Sequence, residues 1–216
     1  TGTLPSGTSG QTLRHNGTNW VANSVIYNNG TNVGIGTTSP GAKLEVAGHI
    51  WQTGTGDSVF LGEGAGANDN LNYNENVFVG YQAGYSNTTG YDNSAVGYSA
   101  LYSNTTGYKN SVMGSCALCE NTTGYKNSAM GSYAGSYISG GSANATSTYS
   151  VYLGYDTRAL ASGDTNEIVI GASTTGFGSN TAAYGNSSMT KHIFQKGNVG
   201  IGTTAPDSTL ELAGSN

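Results

Sequence analysis

Charged and apolar side chains are both scarce in this chain. Asp, Glu, Lys and Arg make up 9% of its 216 residues and hydrophobic residues 36%, against about 25% and about 45–50% in a typical soluble domain. This is not the composition of a metabolic enzyme. Low hydrophobicity alone would suggest disorder, but disordered chains usually combine it with high net charge and few aromatic residues. Here the net charge is -5 and there are 15 Tyr, so we expect an ordered chain with a thin core.

Basic residues, long apolar runs and cysteines are also few. Lys and Arg together number 7, which removes the attraction that dominates nucleic-acid binding, so we expect no nucleic-acid partner. No stretch approaches the roughly 20 apolar residues of a membrane span. The chain opens TGTLPSGTSG, without Met or a signal-like segment, and we expect a mature or excised segment. Two cysteines are too few for a disulfide framework.

An internal repeat of 17 residues dominates the sequence. The motif S-[AV]-x-G-x-x-A recurs at Gly80, Gly97, Gly114 and Gly131, and NTTG recurs with the same period. A longer step of 23 residues follows Gly131 and fits a six-residue insertion near SGGSANATS. Because such a short unit cannot bury its own apolar face, it must stack on its neighbours. We therefore predict an all-β fold, a β-solenoid or β-roll of about seven coils over residues 58–185.

Each coil is predicted to contain one short strand. The strands are expected in residues 77–83, 94–100, 111–117 and 128–134. Because strand side chains alternate between faces, one parity of positions should point inward. The predicted inward stack consists of Val79, Val96, Met113, Met130, Leu153 and Ile170, followed four places later by alanines such as Ala83, Ala100, Ala117 and Ala134.

This inward face is thin. One bulky and one small side chain per coil contribute about 2–4 kcal/mol of burial, whereas ordering the backbone costs about 1–2 kcal/mol per residue. Ladder hydrogen bonds and stacked Asn such as Asn93, Asn110 and Asn127 should supply part of the difference. Association with other copies should supply more, and we expect a homo-oligomer, most simply a trimer.

A second repeat brackets the first. Residues 32–48 read NVGIGTTSPGAKLEVAG and residues 198–214 read NVGIGTTAPDSTLELAG. The chain is thus predicted to divide into an N-terminal extension (1–31), a first NVGIGTT-type β module (32–57), the solenoid (58–185) and a second such module (186–216). Near-identical segments close to both ends predict head-to-tail contacts in a filament, since open solenoid ends must be capped or paired.

These motifs resemble those of known fibre proteins. The runs GTNVGIGTTSPGAKLEVAG and GNVGIGTTAPDSTLELAG are similar to a module of bacteriophage tail-fibre-type proteins. The coils NSAVGYSALYSNTTGYKNSVMG resemble repeats of those fibres and, more distantly, the heads of trimeric autotransporter adhesins, whose coils are shorter than 17 residues. The resemblance covers most of residues 30–214. It implies an elongated trimeric fibre or adhesin shaft with left-handed β-roll coils, located outside the cell, on a cell surface or on a virion.

Catalytic and metal-binding patterns are missing from the sequence. The 3 His lie far apart, without GxSxG, HExxH or paired-carboxylate spacing, so we expect no enzyme activity, no metal and no cofactor. A weaker alternative is a polysaccharide-cleaving tailspike, which uses a carboxylate pair. The available acids include Asp57, Glu63, Asp156, Asp164 and Glu167.

Cys116 and Cys119 form a CxxC motif without the second pair of a zinc ribbon or the strand and helix of a redox site. In the repeat alignment they replace Ser99 and Tyr102, so drift of the repeat is the favoured interpretation. Residues three apart in an extended strand lie about 10 Å apart, beyond disulfide reach. A bond would need a tight turn or a neighbouring chain.

Two sets of residues suggest contact with glycans. Sequons for N-glycosylation begin at Asn16, Asn29, Asn87, Asn104, Asn121, Asn144 and Asn186, although NTTG is also good turn chemistry. Tyr91, Tyr108 and Tyr125 follow each NTTG and are predicted to form a ladder, either simply packed or serving as a sugar-binding platform.

The leading functional prediction is therefore a structural segment or subunit of an extracellular fibre or filament, built from copies of itself. The alternative is a receptor- or glycan-binding adhesin head, which should carry one non-repetitive cluster of aromatic and polar side chains. Thr88, Thr105 and Thr122 repeat in register, as in ice-binding solenoids, but regular T-x-T rows are missing.

Overall fold

The computed structural model describes residues 10–47, 57–193, 199–201 and 210–212. Within these ranges the chain contains strands and turns but no helix, so the all-β prediction is confirmed. The chain divides into two compact units, Thr1–Thr53 and Gly54–Asn216. A helix able to cross a membrane is accordingly absent from the described part of the chain.

The first unit holds a four-stranded sheet in the order β1-β2-β3-β4. Its strands are β1 (Gln11–His15), β2 (Trp20–Asn28), β3 (Val33–Ile35) and β4 (Leu44–Val46). The turn between β1 and β2 is closed by Asn16, whose Oδ1 accepts the backbone N–H groups of Thr18 and Asn19. β2 pairs antiparallel with both β1 and β3, and β3 pairs parallel with β4. The predicted extension and the first predicted module thus share one sheet.

The second unit contains the predicted β-solenoid, with about seven turns between eight parallel strands in consecutive order. The strands are β5 (Val59–Leu61), β6 (Val77–Val79), β7 (Ser94–Val96), β8 (Ser111–Met113), β9 (Ser128–Met130), β10 (Val151–Leu153), β11 (Ile168–Ile170) and β12 (Ala182–Tyr184). Each strand residue pairs with its equivalent one coil later. The longer step from β9 to β10 contains an antiparallel bridge between Tyr137 and Ala143, at the predicted insertion.

The strands are shorter than predicted, because glycine ends each one after three residues. Gly80, Gly97, Gly114 and Gly131 have φ between 128° and 142°, a region that L side chains rarely adopt. A Cβ on Gly97 would also collide with the carbonyl group of Gly114 in the next coil. The repeated glycine therefore permits both the turn and the close stacking of coils.

The predicted inward stack is wrong by one residue within each strand. The buried residue is the middle one, and these residues are Phe78, Ala95, Val112, Ala129, Tyr152, Val169 and Ala183. The predicted residues Val96, Met113, Met130 and Leu153 are exposed, and Val79 and Ile170 are only half-buried. The alanines Ala83, Ala100, Ala117 and Ala134 are buried, as predicted. The alternation of inward and outward side chains within a strand does not continue to the alanine, because the positive-φ glycine between them turns the chain.

In two successive coils, a large buried side chain at one of two core positions is matched by a small residue at the other. A Cβ on Gly84 would overlap the ring of Phe78, six residues earlier. In the next coil the strand contributes only Ala95, and the position six residues later holds Leu101, which is fully buried. Large and small side chains thus exchange places between coils, which keeps the narrow interior filled.

A short parallel pair, β13 (Val199–Ile201) and β14 (Leu210–Leu212), belongs to the second predicted module. Val199 pairs with Leu210, just as Val33 pairs with Leu44 in the first module. The duplicated sequence therefore forms the same local pairing twice. Residues 194–198, 202–209 and 213–216 of this module lie outside the described residues.

Candidate interaction surface

An uninterrupted row of apolar side chains runs along the outer face of the eight-stranded sheet. It comprises the third residue of each strand, and we call it the outward apolar row: Leu61, Val79, Val96, Met113, Met130, Leu153, Ile170 and Tyr184. Met113 and Met130 are 53% and 52% exposed. At about 4.8 Å per strand, the row is about 34 Å long.

The neighbouring positions add to this surface. The first residue of each strand also faces outward, and these residues are Val59, Val77, Ser94, Ser111, Ser128, Val151, Ile168 and Ala182. Neither row contains a charged side chain. A depression of about 360 Å³ lies over the middle of this face, where Val96, Met113, Met130 and Leu153 surround the serines. Contiguous exposed apolar patches on soluble proteins usually mark interaction sites, so this face suits association with another protein surface.

The sequons of the repeat lie inside the solenoid. Asn87, Asn104, Asn121 and Asn144 are at most 1% exposed. The Nδ2 group of Asn104 donates to Oδ1 of Asn87 at 2.7 Å, and that of Asn121 donates to Oδ1 of Asn104 at 2.9 Å. The amides of Asn87, Asn104 and Asn121 form a hydrogen-bonded ladder along the coils, and the amide of Asn144 donates to the carbonyl of Gly135. None of the four can carry a glycan in the folded chain. The prediction of glycosylation at these four residues is therefore wrong.

A second ladder contains the asparagines that were predicted to stack. Oδ1 of Asn93 accepts both the backbone N–H and the Nδ2 group of Asn110, at 3.0 and 3.1 Å. At the N-terminal end, Oδ2 of Asp69 accepts the Nδ2 groups of Asn76 and Asn87. One carboxylate oxygen thus closes both ladders, which leaves no amide donor of the first coil unpaired at this point.

The remaining sequons differ in accessibility. Asn16 and Asn29 are exposed, whereas Asn186 is half-buried and its Nδ2 group donates to the carbonyl of Ala172 at 2.7 Å. We expect protein secreted from a eukaryotic host to carry glycans at Asn16 and Asn29 only. The amide of Asn186 is engaged by its bond to Ala172, and a glycan added at Asn104 before folding would prevent the coil from closing. Mass spectrometry of the folded fraction checks this, and a glycan on Asn104 would contradict the buried ladder.

The tyrosine ladder is present, and its rings pack on one another. The ring centroids of Tyr91 and Tyr108 lie 4.8 Å apart, and those of Tyr108 and Tyr125 lie 4.6 Å apart, with planes within 5° of parallel. Both faces of Tyr108 are thus covered by neighbouring rings. Tyr149 contacts Tyr125 in a T-shaped arrangement, with the ring planes 73° apart. This arrangement favours the packing interpretation, because a sugar platform needs open ring faces.

The CxxC motif forms a disulfide within its own coil. Cys116 and Cys119 have their Cα atoms 4.8 Å apart, within the range that a disulfide requires. Cys116 and Leu118 have φ values of 52° and 46°, so the segment is a tight turn and not the extended strand on which the expectation of no bond depended. Drift of the repeat accounts for the position of the cysteines but not for their pairing.

The threonines of the ladder are also used internally. Oγ1 of Thr88 donates to the carbonyl of Thr105, and Oγ1 of Thr105 donates to the carbonyl of Thr122. Oγ1 of Thr122 likewise donates to the carbonyl of Ala145. These hydroxyl groups link successive coils, which explains their regular spacing without an ice-binding role.

The acids considered for catalysis have separate roles. Asp156 accepts two hydrogen bonds from the guanidinium of Arg158, at 3.0 and 2.9 Å. Asp164 accepts from the backbone of Ala161 and from Ser179. Asp57 and Glu63 are exposed. The described residues also contain no group of three or more His, Cys, Asp and Glu that could hold a metal ion.

Glu167 is the unusual acid in this region. It occupies the register position of Asn110 and Asn127 and is fully buried. Its Oε1 accepts the backbone N–H of Gly178 at 2.8 Å, and its Oε2 has no hydrogen-bond partner among the described residues. Burial, helped by the nearby charge of Asp164, raises the pKa of Glu167 above 4.5. The repeat alignment could have revealed this residue, because it follows the Asn series in register.

The raised pKa of Glu167 predicts a pH-dependent stability. Because the folded chain binds the proton more tightly than the unfolded chain, this contribution is fully present below pH 4.5 and is lost as the pH rises through the folded-state pKa. We expect Glu167→Gln to raise the melting temperature at pH 7 and to have little effect at pH 4. Melting curves across this range test it, with the exposed Glu63→Gln as the control. The same pH response in both variants would contradict the assignment.

No protein-family model, curated protein or solved structure matches this chain. Function is therefore inferred from the geometry of the chain itself, above all from the outward apolar row.

Proposed function

We propose that the chain is a structural segment of an extracellular fibre or filament, of the tail-fibre or adhesin-shaft kind, and that it assembles from copies of itself. The observation that carries the proposal is the outward apolar row, which is uncharged along all eight strands of the solenoid. A shaft needs a surface that repeats along its length, and this row repeats once per coil.

Another copy of the same chain is the partner that best fits the row. Its own row has the same coil spacing and the same lack of charge, so apolar side chains can interdigitate along the whole face without burying a charge. Association would also add the apolar burial that the thin core lacks. Three copies are the expected number, placed outside the cell, on a cell surface or on a virion.

The mass of the particle in solution tests this proposal. Light scattering or native mass spectrometry should give a multiple of 21.9 kDa, with three copies the expected result. A folded monomer at micromolar concentration would overturn it.

Head-to-tail contact through the duplicated modules is a separate part of the proposal. The shared pairing of Val33 with Leu44 and of Val199 with Leu210 supports structural equivalence of the two modules. Electron microscopy of the intact protein should then show filaments of variable length. Particles of one fixed length would exclude an open stack.

A receptor- or glycan-binding head is the second candidate. One specific observation favours it, namely a non-repetitive groove of aromatic and polar side chains beside the disulfide.

A further inference from the structure

A groove of about 250 Å³ lies on the solenoid surface beside the Cys116–Cys119 disulfide. Three tyrosines, Tyr98, Tyr102 and Tyr133, contribute to its walls, together with several polar side chains. The groove is not repeated from coil to coil, because the disulfide occurs in one coil only. The tyrosines that line it are not those of the ladder that follows NTTG.

The first wall is the end of a tyrosine stack. Tyr98 stacks on Tyr81 of the preceding coil, with ring centroids 5.2 Å apart and planes 15° apart. The equivalent position in the following coil is Ser115, whose side chain is too small to cover a ring. The second face of Tyr98 therefore opens into the groove, and this residue is 59% exposed.

The second wall ends in the same way. Tyr102 stacks on Tyr85 of the preceding coil, with centroids 5.3 Å and planes 10° apart. The next residue in this register is Cys119, which is only 4% exposed and is held inward by its bond to Cys116. The cysteine thus replaces the tyrosine that would continue the stack, and the groove occupies the space that this ring would fill.

Unpaired polar groups complete the groove. Gln82 and Glu120 line it, and within the described ranges neither the Gln82 amide group nor the Glu120 carboxylate makes a hydrogen bond to the protein. Both can therefore bond to a ligand, the amide as donor and acceptor and the carboxylate as acceptor. Tyr133, which is 39% exposed, closes the far side.

We propose that this groove binds a neutral pyranose unit of a surface glycan. The apolar face of a pyranose carries C–H groups of slight positive charge, which suit the negative faces of Tyr98 and Tyr102. The hydroxyl groups of the sugar can donate to Glu120 and accept from Gln82. The volume is below the range of about 300–1,000 Å³ typical of drug-sized ligands, so that a single ring is the suitable size.

Two features select this class of ligand. Tyr98 and Tyr102 each stack on a ring of the preceding coil, so their other faces point in the same direction, toward the following coil. A quaternary ammonium group is instead bound by rings that surround it on several sides. The carboxylate of Glu120 also disfavours anionic sugars through like-charge repulsion. The groove does not include the outward apolar row, so this inference does not rest on self-association.

Saturation-transfer NMR and calorimetric titration of the full chain test the proposal. The probes are the methyl glycosides of glucose, galactose and N-acetylglucosamine, with N-acetylneuraminic acid and choline as charged comparisons. We expect at least one neutral glycoside to bind, the anionic sugar to bind less well, and Tyr98→Ala to weaken binding by roughly tenfold. Tyr91→Ala, in the other ladder, should leave binding unchanged.

A filled-groove variant separates loss of the site from loss of folding. The double substitution Cys116→Ser and Cys119→Tyr reproduces Ser99 and Tyr102 of the preceding coil, so this coil should still fold. We expect it to keep the melting behaviour of a folded solenoid and to lose sugar binding. Binding of choline alone, binding of no glycoside, or full binding by the filled variant would each overturn the proposal. None of these results would bear on self-association, which is tested separately by the mass of the particle.

Discussion

Val112→Asp should unfold the solenoid, whereas Met113→Asp, one residue later, should leave it folded and disperse the assembly. Val112 is 4% exposed and lies in the core, where an unpaired carboxylate costs about 3–5 kcal/mol. Met113 is 53% exposed on the outward apolar row, where the same charge reaches water in the single chain. In the assembled fibre that charge would be buried, which opposes association.

Circular dichroism and light scattering together check this pair. Val112→Asp should lose the β signal at room temperature, and Met113→Asp should keep it while its mass falls to 21.9 kDa. Thr106→Asp is the control for added negative charge, because Thr106 is exposed in a turn and lies outside the outward apolar row. Unfolding of Met113→Asp together with tolerance of Val112→Asp would show that Val112 does not form the core.

Asn104→Ala should lower the free energy of unfolding by about 3–5 kcal/mol, although it removes only an amide. Its Nδ2 group donates to Oδ1 of Asn87 and to the carbonyl of Gly107, and its Oδ1 accepts from Asn121. The substitution leaves Oδ1 of Asn87 without a donor and one N–H of the Asn121 amide without an acceptor, in a site that water cannot reach without opening the stack.

Thermal melting of Asn104→Ala and Thr106→Ala measures the effect. Thr106 lies in the same turn but is exposed, so its truncation should change stability by less than about 0.5 kcal/mol. Equal melting temperatures for the two variants would mean that the ladder does not stabilise the solenoid.

The period, the number of coils and the buried alanines could all be predicted from the sequence, because stacking requires equivalent residues to recur at equal spacing. Which residues of each strand face the core could not be predicted. The prediction placed the larger side chains inside, but Met113 and Met130 are exposed, whereas the smaller Ala95 and Ala129 are buried. A narrow coil accepts small residues inside when a residue such as Leu101 fills the space beside them.

The NTTG motif shows a second limit of sequence patterns. Asn in N-x-T is compatible with a surface sequon and equally with an internal ladder. What decides between them is the carbonyl group of the glycine three residues later, which accepts the Nδ2 group of Asn104 inside the turn. The disulfide was not predicted, because the segment was expected to be extended. The positive φ of Cys116 and Leu118 instead shortens it and brings the two cysteines together.

Oxidation of the methionines by peroxide tests the central claim most directly. The chain has 3 Met, and in the single chain Met113, Met130 and Met189 are 53%, 52% and 47% exposed. Peroxide converts accessible methionine to the sulfoxide at a rate that follows exposure. If copies associate through the outward apolar row, Met113 and Met130 should oxidise several times more slowly than Met189 in the intact assembly. Equal oxidation of all three in that assembly would contradict burial of the row between copies.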